Sequence, residues 1–332
     1  MERPSGKEPN TGIQSHMSET TNKIAIIGAG SVGATIAYAC LIRGVAKQIA
    51  LYDVNRQKVE AETLDLNQGM QFMPMATVEG SDDLAVTSGA DVIVITAGAK
   101  QKPGQTRMDL AAVNAGICRQ IVPKLVEASS AAILLMVSNP VDVLTYAAWK
   151  LSNLPAKRVF GSGTVLDSSR FRFLIASRLK VAVQNVHAYI AGEHGDSEIP
   201  LWSSATVGNM PLHLWAVAGH GKLTVRDRTE VFQNVKESAY RIIQGKGATN
   251  YAIGLAVARI LEAVLNDESR VLPVSSLLTD YHGISNVCLS VPSIVNRGGV
   301  DAVLPIPMND AELAGLKNSA ETIHSAITAL GF

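Results

Sequence analysis

Six consecutive residues constrain this chain more than any others. Gly28-Ala29-Gly30-Ser31-Val32-Gly33 lies between the apolar run Lys23–Gly28 and the helically spaced stretch Val32–Arg43. Glycine at the first position permits a tight turn, at the third it lets backbone approach a ligand, and at the sixth it lets the helix lie close to a sheet. An anion at the start of that helix meets unpaired N–H groups and the positive end of the helix dipole. A glycine pattern alone is weak evidence. Here a second apolar run, Gln48–Asp53, ends in a carboxylate twenty residues beyond Gly33, placed to accept hydrogen bonds from ribose hydroxyls. The spacing predicts a strand–helix–strand unit that binds a dinucleotide through Gly28, Gly30, Val32, Gly33 and Asp53. Asp53 repels a 2′-phosphate, so NAD is expected over NADP, with Arg56 nearby as a counter-argument.

The alternation continues. Arg56–Asn67 and Asp109–Ser129 read as helices, and Asp91–Ala97 and Ala132–Ser138 as buried strands, which predicts an α/β fold with a doubly wound parallel sheet of the Rossmann type. After about Gly163 long helical stretches (Leu166–Leu179, Val225–Gly245, Tyr251–Asn266, Asp310–Leu330) accompany hairpin-like strands at Ser276–Tyr281 and Val287–Val295. This predicts a separate α+β catalytic domain. The expected division is a disordered tail at 1–21, a cofactor domain at 22–163 and a substrate domain at 164–332.

Composition removes several function classes. The 332 residues carry 29 Lys+Arg against 29 Asp+Glu, so the long-range field that draws nucleic acid or anionic membranes is missing. Aromatic residues are only 5%, which disfavours a base-stacking surface. No apolar run approaches the ~20 residues of a spanning helix, and the polar first twenty-odd residues lack the apolar core of a secretory signal. Cys40, Cys118 and Cys288 are odd in number and far apart, as suits a reducing compartment. A cytoplasmic protein is expected. Charged residues at 17% and apolar residues at 47% leave room for a large subunit interface.

Three further segments combine polar residues with glycine. Gly192-Glu-His194-Gly-Asp196-Ser follows the apolar run Val186–Ala191. Gly161-Ser-Gly-Thr164-Val-Leu-Asp167-Ser-Ser-Arg170 leads into a helix and sets Asp167 and Arg170 on one face. Gly98-Ala-Lys-Gln101-Lys-Pro-Gly104-Gln-Thr-Arg107 follows a strand and has the composition of a mobile lid. Together with the glycine-rich loop and Ser138-Asn139-Pro140, they make the chain resemble the lactate/malate dehydrogenase family from about residue 22 to the C-terminus.

The resemblance implies roles at matching positions. His194 would exchange a proton with the substrate oxygen, Asp167 would fix its tautomer, and Arg107 would polarise the carbonyl. Arg170 would hold the substrate carboxylate with a fork that Lys could not reproduce. Asn139 and Thr249 would line the substrate, while Ala97, Gly98, Ser138, Asn139 and Ile253 would join the cofactor site. Gln101 would read the third substituent. Being neutral, it favours pyruvate and L-lactate over oxaloacetate and malate, whose second carboxylate costs several kcal/mol to bury without a cation. Lys100 and Lys102 keep the malate alternative open. Arg172 and His187 match positions that bind fructose 1,6-bisphosphate across a subunit interface in bacterial lactate dehydrogenases, so a bisphosphate activator and a homotetramer are implied. A metal-dependent hydrolase built on His194 with Glu193, Asp196 and Glu198 is disfavoured, because the spacing is wrong for a helical histidine pair.

Overall fold

A computed structural model of the chain describes residues 22–99 and 107–332, with backbone only at Arg107. The expected tail and the residues Lys100, Gln101 and Lys102 lie outside the described residues. In chain order the first half contains β1 (Lys23–Ile27), α1 (Ser31–Arg43), β2 (Gln48–Tyr52), α2 (Arg56–Gln68), β3 (Thr77–Ser81), β4 (Val92–Ile95), α3 (Arg107–Ala128), β5 (Ile133–Met136), α4 (Val141–Ser152) and β6 (Val159–Gly161). The second half contains α5 (Val165–Leu179), the short strands β7 (Val186–His187), β8 (Ile190–Ala191), β9 (Ile199–Pro200), β10 (Thr206–Val207) and β11 (Met210–Pro211), then α6 (Val225–Lys246), α7 (Tyr251–Leu265), β12 (Arg270–Leu278), β13 (Val287–Asn296), β14 (Gly299–Val303) and α8 (Asp310–Ala329).

Strands β1 to β6 pair in parallel in the spatial order β3-β2-β1-β4-β5-β6, so the order in which strands are added reverses between β1 and β4. At such a reversal the connections leave for opposite faces and open a crevice at the strands' carboxyl ends, where ligands bind. Strands β1, β4 and β5 are apolar on both faces because helices cover both, and Ile24 and Ile26 pack into one core while Ala25 and Ile27 pack into the other.

The sheet does not end where the parallel strands do. Ser275 of β12 pairs with Gly161 of β6, and antiparallel β12, β13 and β14 extend it to nine strands. The hairpin-like strands read in the second half of the chain therefore continue the sheet of the first half. The strand read as Ser276–Tyr281 runs from Arg270 to Leu278, and Asp280 and His282 turn the chain with φ of 52° each. Gly161 and Gly163 make this junction possible. A side chain on Gly163 would meet the Ser275 backbone nitrogen and the Ser290 Oγ at 2.5 Å.

The glycine-rich loop behaves as its spacing requires. Gly28 turns the chain at φ +104°, and a Cβ on Gly33 would collide with the Gly28 carbonyl. Helices α2, α6 and α8 have side-chain caps from Asn55, Thr224 and Asn309, whereas α1 begins at Gly30 without one. Its first N–H groups are left for a ligand. Helix α7 then lies against α1, so close that a Cβ on Gly254 would sit 2.7 Å from the Thr35 methyl. The Asn250 amide donates to Thr35 Oγ1 at 3.0 Å, which ties the start of α7 to the cofactor helix.

Gly33→Ala tests the close packing of α1. Overpacking of this kind costs roughly 1–3 kcal/mol, so the expected outcome is a lower thermal midpoint and a weaker NADH fluorescence titration. An unchanged titration would show that α1 can retreat without disturbing the loop.

Candidate active site

Cofactor-side residues gather around the crevice. Asp53, just past β2, accepts from Ala29 N at 2.8 Å and from Asn55 N at 3.0 Å, which holds its carboxylate beside the glycine loop. The space over Gly30 is open except for the Lys58 ammonium, 3.8 Å from where a Cβ would stand. A pyrophosphate needs such a gap, bounded by free N–H groups and a cation. The loop, the uncapped helix and Asp53 thus fit a dinucleotide. Val32 and Ile253 are half-buried against one apolar cluster, which brings α1 and α7 together at the crevice. Thr249 is half-buried in the turn before α7.

Across the crevice Ser138 Oγ donates to Ala97 O at 2.6 Å, joining the ends of β4 and β5. Asn114 of α3, 2% exposed, accepts from Ala99 N at 2.8 Å and donates to Asn139 O at 2.7 Å. This single amide aligns the Ala97–Ala99 segment with Asn139. Gly98 and the Asn139 side chain remain exposed toward the crevice.

The His194 loop is pinned by four elements. Gly192 and Ser290 exchange backbone hydrogen bonds at 2.8 and 3.0 Å, fixing the loop to β13. Ser319 Oγ of α8 accepts from Glu193 N at 2.6 Å, and Asp142 Oδ2 of α4 accepts from His194 N at 2.7 Å. From α6, Lys236 Nζ donates to Asp196 O at 2.7 Å. His194 therefore sits on a loop bonded directly to Asp142, the end of the Ser138–Asp142 segment.

Asp167, in the first turn of α5 and 3% exposed, meets His194 Nδ1 at 2.6 Å through Oδ2. A carboxylate only accepts, so Nδ1–H donates and Nε2 is left to face the crevice. Asp167 Oδ1 accepts from Arg170 Nη1 at 2.8 Å. Arg170 Nη2 is buried with no hydrogen-bond partner among the described residues. A guanidinium nitrogen held dry in this way is matched to an arriving anion.

The charges tune one another. The Asp167 carboxylate raises the His194 imidazole to about 9, against the opposing effect of burial. Burial pushes Asp167 upward, but His194 and Arg170 outweigh it and hold the carboxyl below its usual range. Burial lifts Asp142 to about 6. The His194 imidazole is thus held protonated near neutral pH. Glu198 also lies here: one oxygen each of Asp167 and Glu198 and a ring nitrogen of His194 fall within 4.8 Å of one another. Both Asp167 oxygens are engaged by Arg170 and His194, which makes the cluster a proton-holding arrangement rather than a set of open ligand atoms.

The sequence reading named Glu198 only within the disfavoured metal cluster and did not single out Lys58, Asn114 or Asp142. Lys58 follows Asp53 by five residues on the first turns of α2, a position from which its reach to the loop could have been argued. The others become neighbours of the site only through the fold.

Both halves of the chain match models of one family. Residues 22–161 match the lactate/malate dehydrogenase NAD-binding domain and residues 164–330 its α/β C-terminal domain. The chain belongs to the lactate/malate dehydrogenase family. It is an NAD-dependent dehydrogenase. Among its relatives, an L-lactate dehydrogenase of Bifidobacterium animalis subsp. lactis is 54% identical over 311 residues, covering 93% of this chain and 97% of that one. One from a Thermoanaerobacter species is 48% identical over 93% and 99% of the two chains. The ligand-bound crystal structure of the minor L-lactate dehydrogenase from Enterococcus mundtii superposes with a TM-score of 0.90 at 42% identity, over 94% of this chain and 99% of that one.

Asp167→Asn tests the charge coupling between Asp167 and His194. Removing the charge removes the first cause of the raised imidazole, so the His194 ring-proton NMR titration should move from about 9 toward or below the ordinary value. A titration that stays in place would show that another group holds the proton on His194.

Proposed function

We propose that this family member is an L-lactate dehydrogenase, reducing pyruvate with NADH and oxidising L-lactate with NAD. The observation that carries the reading is the Asp167–His194 hydrogen bond with the unpartnered Arg170 Nη2 beside it: a loaded proton donor next to a buried seat for one carboxylate. In this reading residues 22–163 hold the cofactor and residues 164–332 the substrate.

Bound NADH supplies the hydride, and all other tasks fall to the chain. Arg170 takes the pyruvate carboxylate and Asn139 and Thr249 line the substrate, which aims the carbonyl at Nε2 of His194. Arg107, at the first residue of α3, polarises that carbonyl. His194 gives its proton to the oxygen as the alcohol forms, and Asp167 keeps Nδ1 protonated and stabilises the imidazolium beforehand. Gly28, Gly30, Val32, Gly33 and Asp53 hold the adenosine half and pyrophosphate, while Ala97, Gly98, Ser138, Asn139 and Ile253 seat the nicotinamide. Gln101 selects the methyl group of pyruvate, since a neutral amide leaves a second carboxylate unpaired.

Regulation by fructose 1,6-bisphosphate belongs to the same reading. Arg172 Nε donates to Ala188 O at 2.8 Å and its guanidinium stacks 4.7 Å from the Tyr189 ring centroid. These contacts hold Arg172 against the segment that carries the exposed His187. Two such pairs facing each other across a twofold axis would balance two phosphates and join dimers into a homotetramer. Exposed Phe173, next to Arg172, offers apolar surface for that contact. We assign the enzyme to the cytoplasm; among the described residues no helix is long and apolar enough to cross a membrane.

The test is NADH oxidation with pyruvate and with oxaloacetate, each with and without the bisphosphate. Pyruvate should be preferred by at least about a hundredfold in kcat/KM, a difference of ~3 kcal/mol. The bisphosphate should lower KM for pyruvate. In Arg172→Gln and His187→Gln the activation should vanish with basal turnover kept. A preference for oxaloacetate would assign the selecting role to Lys100 or Lys102.

A further inference from the structure

Glu198 is a buried ionisable group that the reaction above leaves without a task. It closes the turn after His194, with its N–H donating to Gly195 O at 3.3 Å, and directly precedes β9. The residue is 6% exposed, and Oε1 is buried without a hydrogen-bond partner among the described residues. Its carboxyl comes within 4.8 Å of both the Asp167 carboxyl and the His194 ring. An ionised carboxylate there would be desolvated, short of donors and next to another anion, which is the costliest arrangement a carboxyl can adopt.

We propose that Glu198 acts as a neutral carboxylic acid, a positioning residue whose bound proton keeps a second negative charge away from Asp167, His194 and the carboxylate seat on Arg170. This rests on the reading that His194 is the proton donor and Arg170 binds the substrate carboxylate. The surroundings agree. Burial first, and Asp167 next, push the Glu198 carboxyl up to about 8, outweighing the pull of His194, Lys236 of α6 and Arg170 of α5. From α4, Asp142 adds another acidic group behind His194. From α8 the facing residues are Gly315, against Ile199, and Ser319, on Glu193 N, and neither carries charge.

Pyruvate reduction then needs two protons in place, one on His194 and one on Glu198. As pH rises Glu198 ionises, and its charge opposes the pyruvate carboxylate approaching Arg170. The same charge tightens the hold of His194 on its own proton, so the two losses are coupled and belong to the pair. The active form disappears with more than one proton.

The measurement is kcat/KM for pyruvate at saturating NADH from about pH 6 to 10.5, on the full-length wild-type enzyme and on Glu198→Gln. In the wild type the alkaline limb should be steeper than one proton allows, approaching a loss of about a hundredfold per pH unit. In Glu198→Gln it should fall about tenfold per unit and begin no lower in pH than the wild type, because glutamine matches the neutral acid of the active form and cannot ionise. A one-proton limb in the wild type overturns the inference whether or not the variant folds, and so does an equally steep limb in the variant. Absence of pyruvate-dependent NADH oxidation at every pH would overturn the underlying reading as well, whereas activity with a one-proton limb overturns this inference alone.

Discussion

The hydrogen bond between Asp167 and His194 is the interaction that the rest of the structure serves. A carboxylate 3% exposed cannot stand alone in an apolar interior, and losing one partner of a buried pair typically costs about 3–5 kcal/mol. Its two oxygens must be met by an imidazole from one loop and a guanidinium one helical turn away. That requirement explains why the His194 loop is tied down by α4, α8 and β13 at once. Each of those elements also belongs to the cluster around Leu289 and Leu316, so the packing that fills the second half of the chain also aims the histidine.

The same logic explains the continuous sheet. Had β12 to β14 formed a separate unit, β13 and the His194 loop could move relative to Asp167 and Asn139. Pairing Ser275 with Gly161 places β13, through β12 and β6, in one hydrogen-bonded framework with β1 and β4. His194 and the glycine-rich loop are therefore built on a common sheet, and α7 against α1 closes the other side.

The cofactor half was legible because its chemistry is local. Gly28, Gly30, Gly33 and Asp53 lie within a short span, and each needs a particular residue type at a particular turn. What escaped had no local signature. Strand β3 reads Thr-Val-Glu-Gly-Ser, a polar edge strand with a single buried residue, Val78. Helix α4 is buried on nearly all faces, which erases the apolar–polar period by which helices are recognised. Strand β6 has three residues, and its antiparallel partner comes more than a hundred positions later. At the site, His194, Asp167 and Arg170 stood out through glycine neighbours and helical spacing. Asn114 and Asp142 are ordinary polar residues whose importance arises from being buried beside those three, and burial at that distance in sequence leaves no spacing to read. Glu198, close to His194 in the chain, was weighed only as a metal ligand because its burial is not visible in the spacing.

The doubled use of Arg170 has an energetic consequence for the proposed reaction. One nitrogen already binds Asp167, and only the other awaits a ligand. The guanidinium therefore draws on the same carboxylate that stabilises the imidazolium. An anion arriving at Arg170 neutralises that competing charge, and Asp167 then acts more fully on His194. Binding of the substrate carboxylate and retention of the proton strengthen each other, and by linkage a protonated His194 must favour the anion to the same degree. A lysine at this position would supply the charge but not the rigid fork that spans Asp167 and substrate together. The coupling thus depends on a planar cation with fixed donors, held by a helix turn to the acid it helps to control.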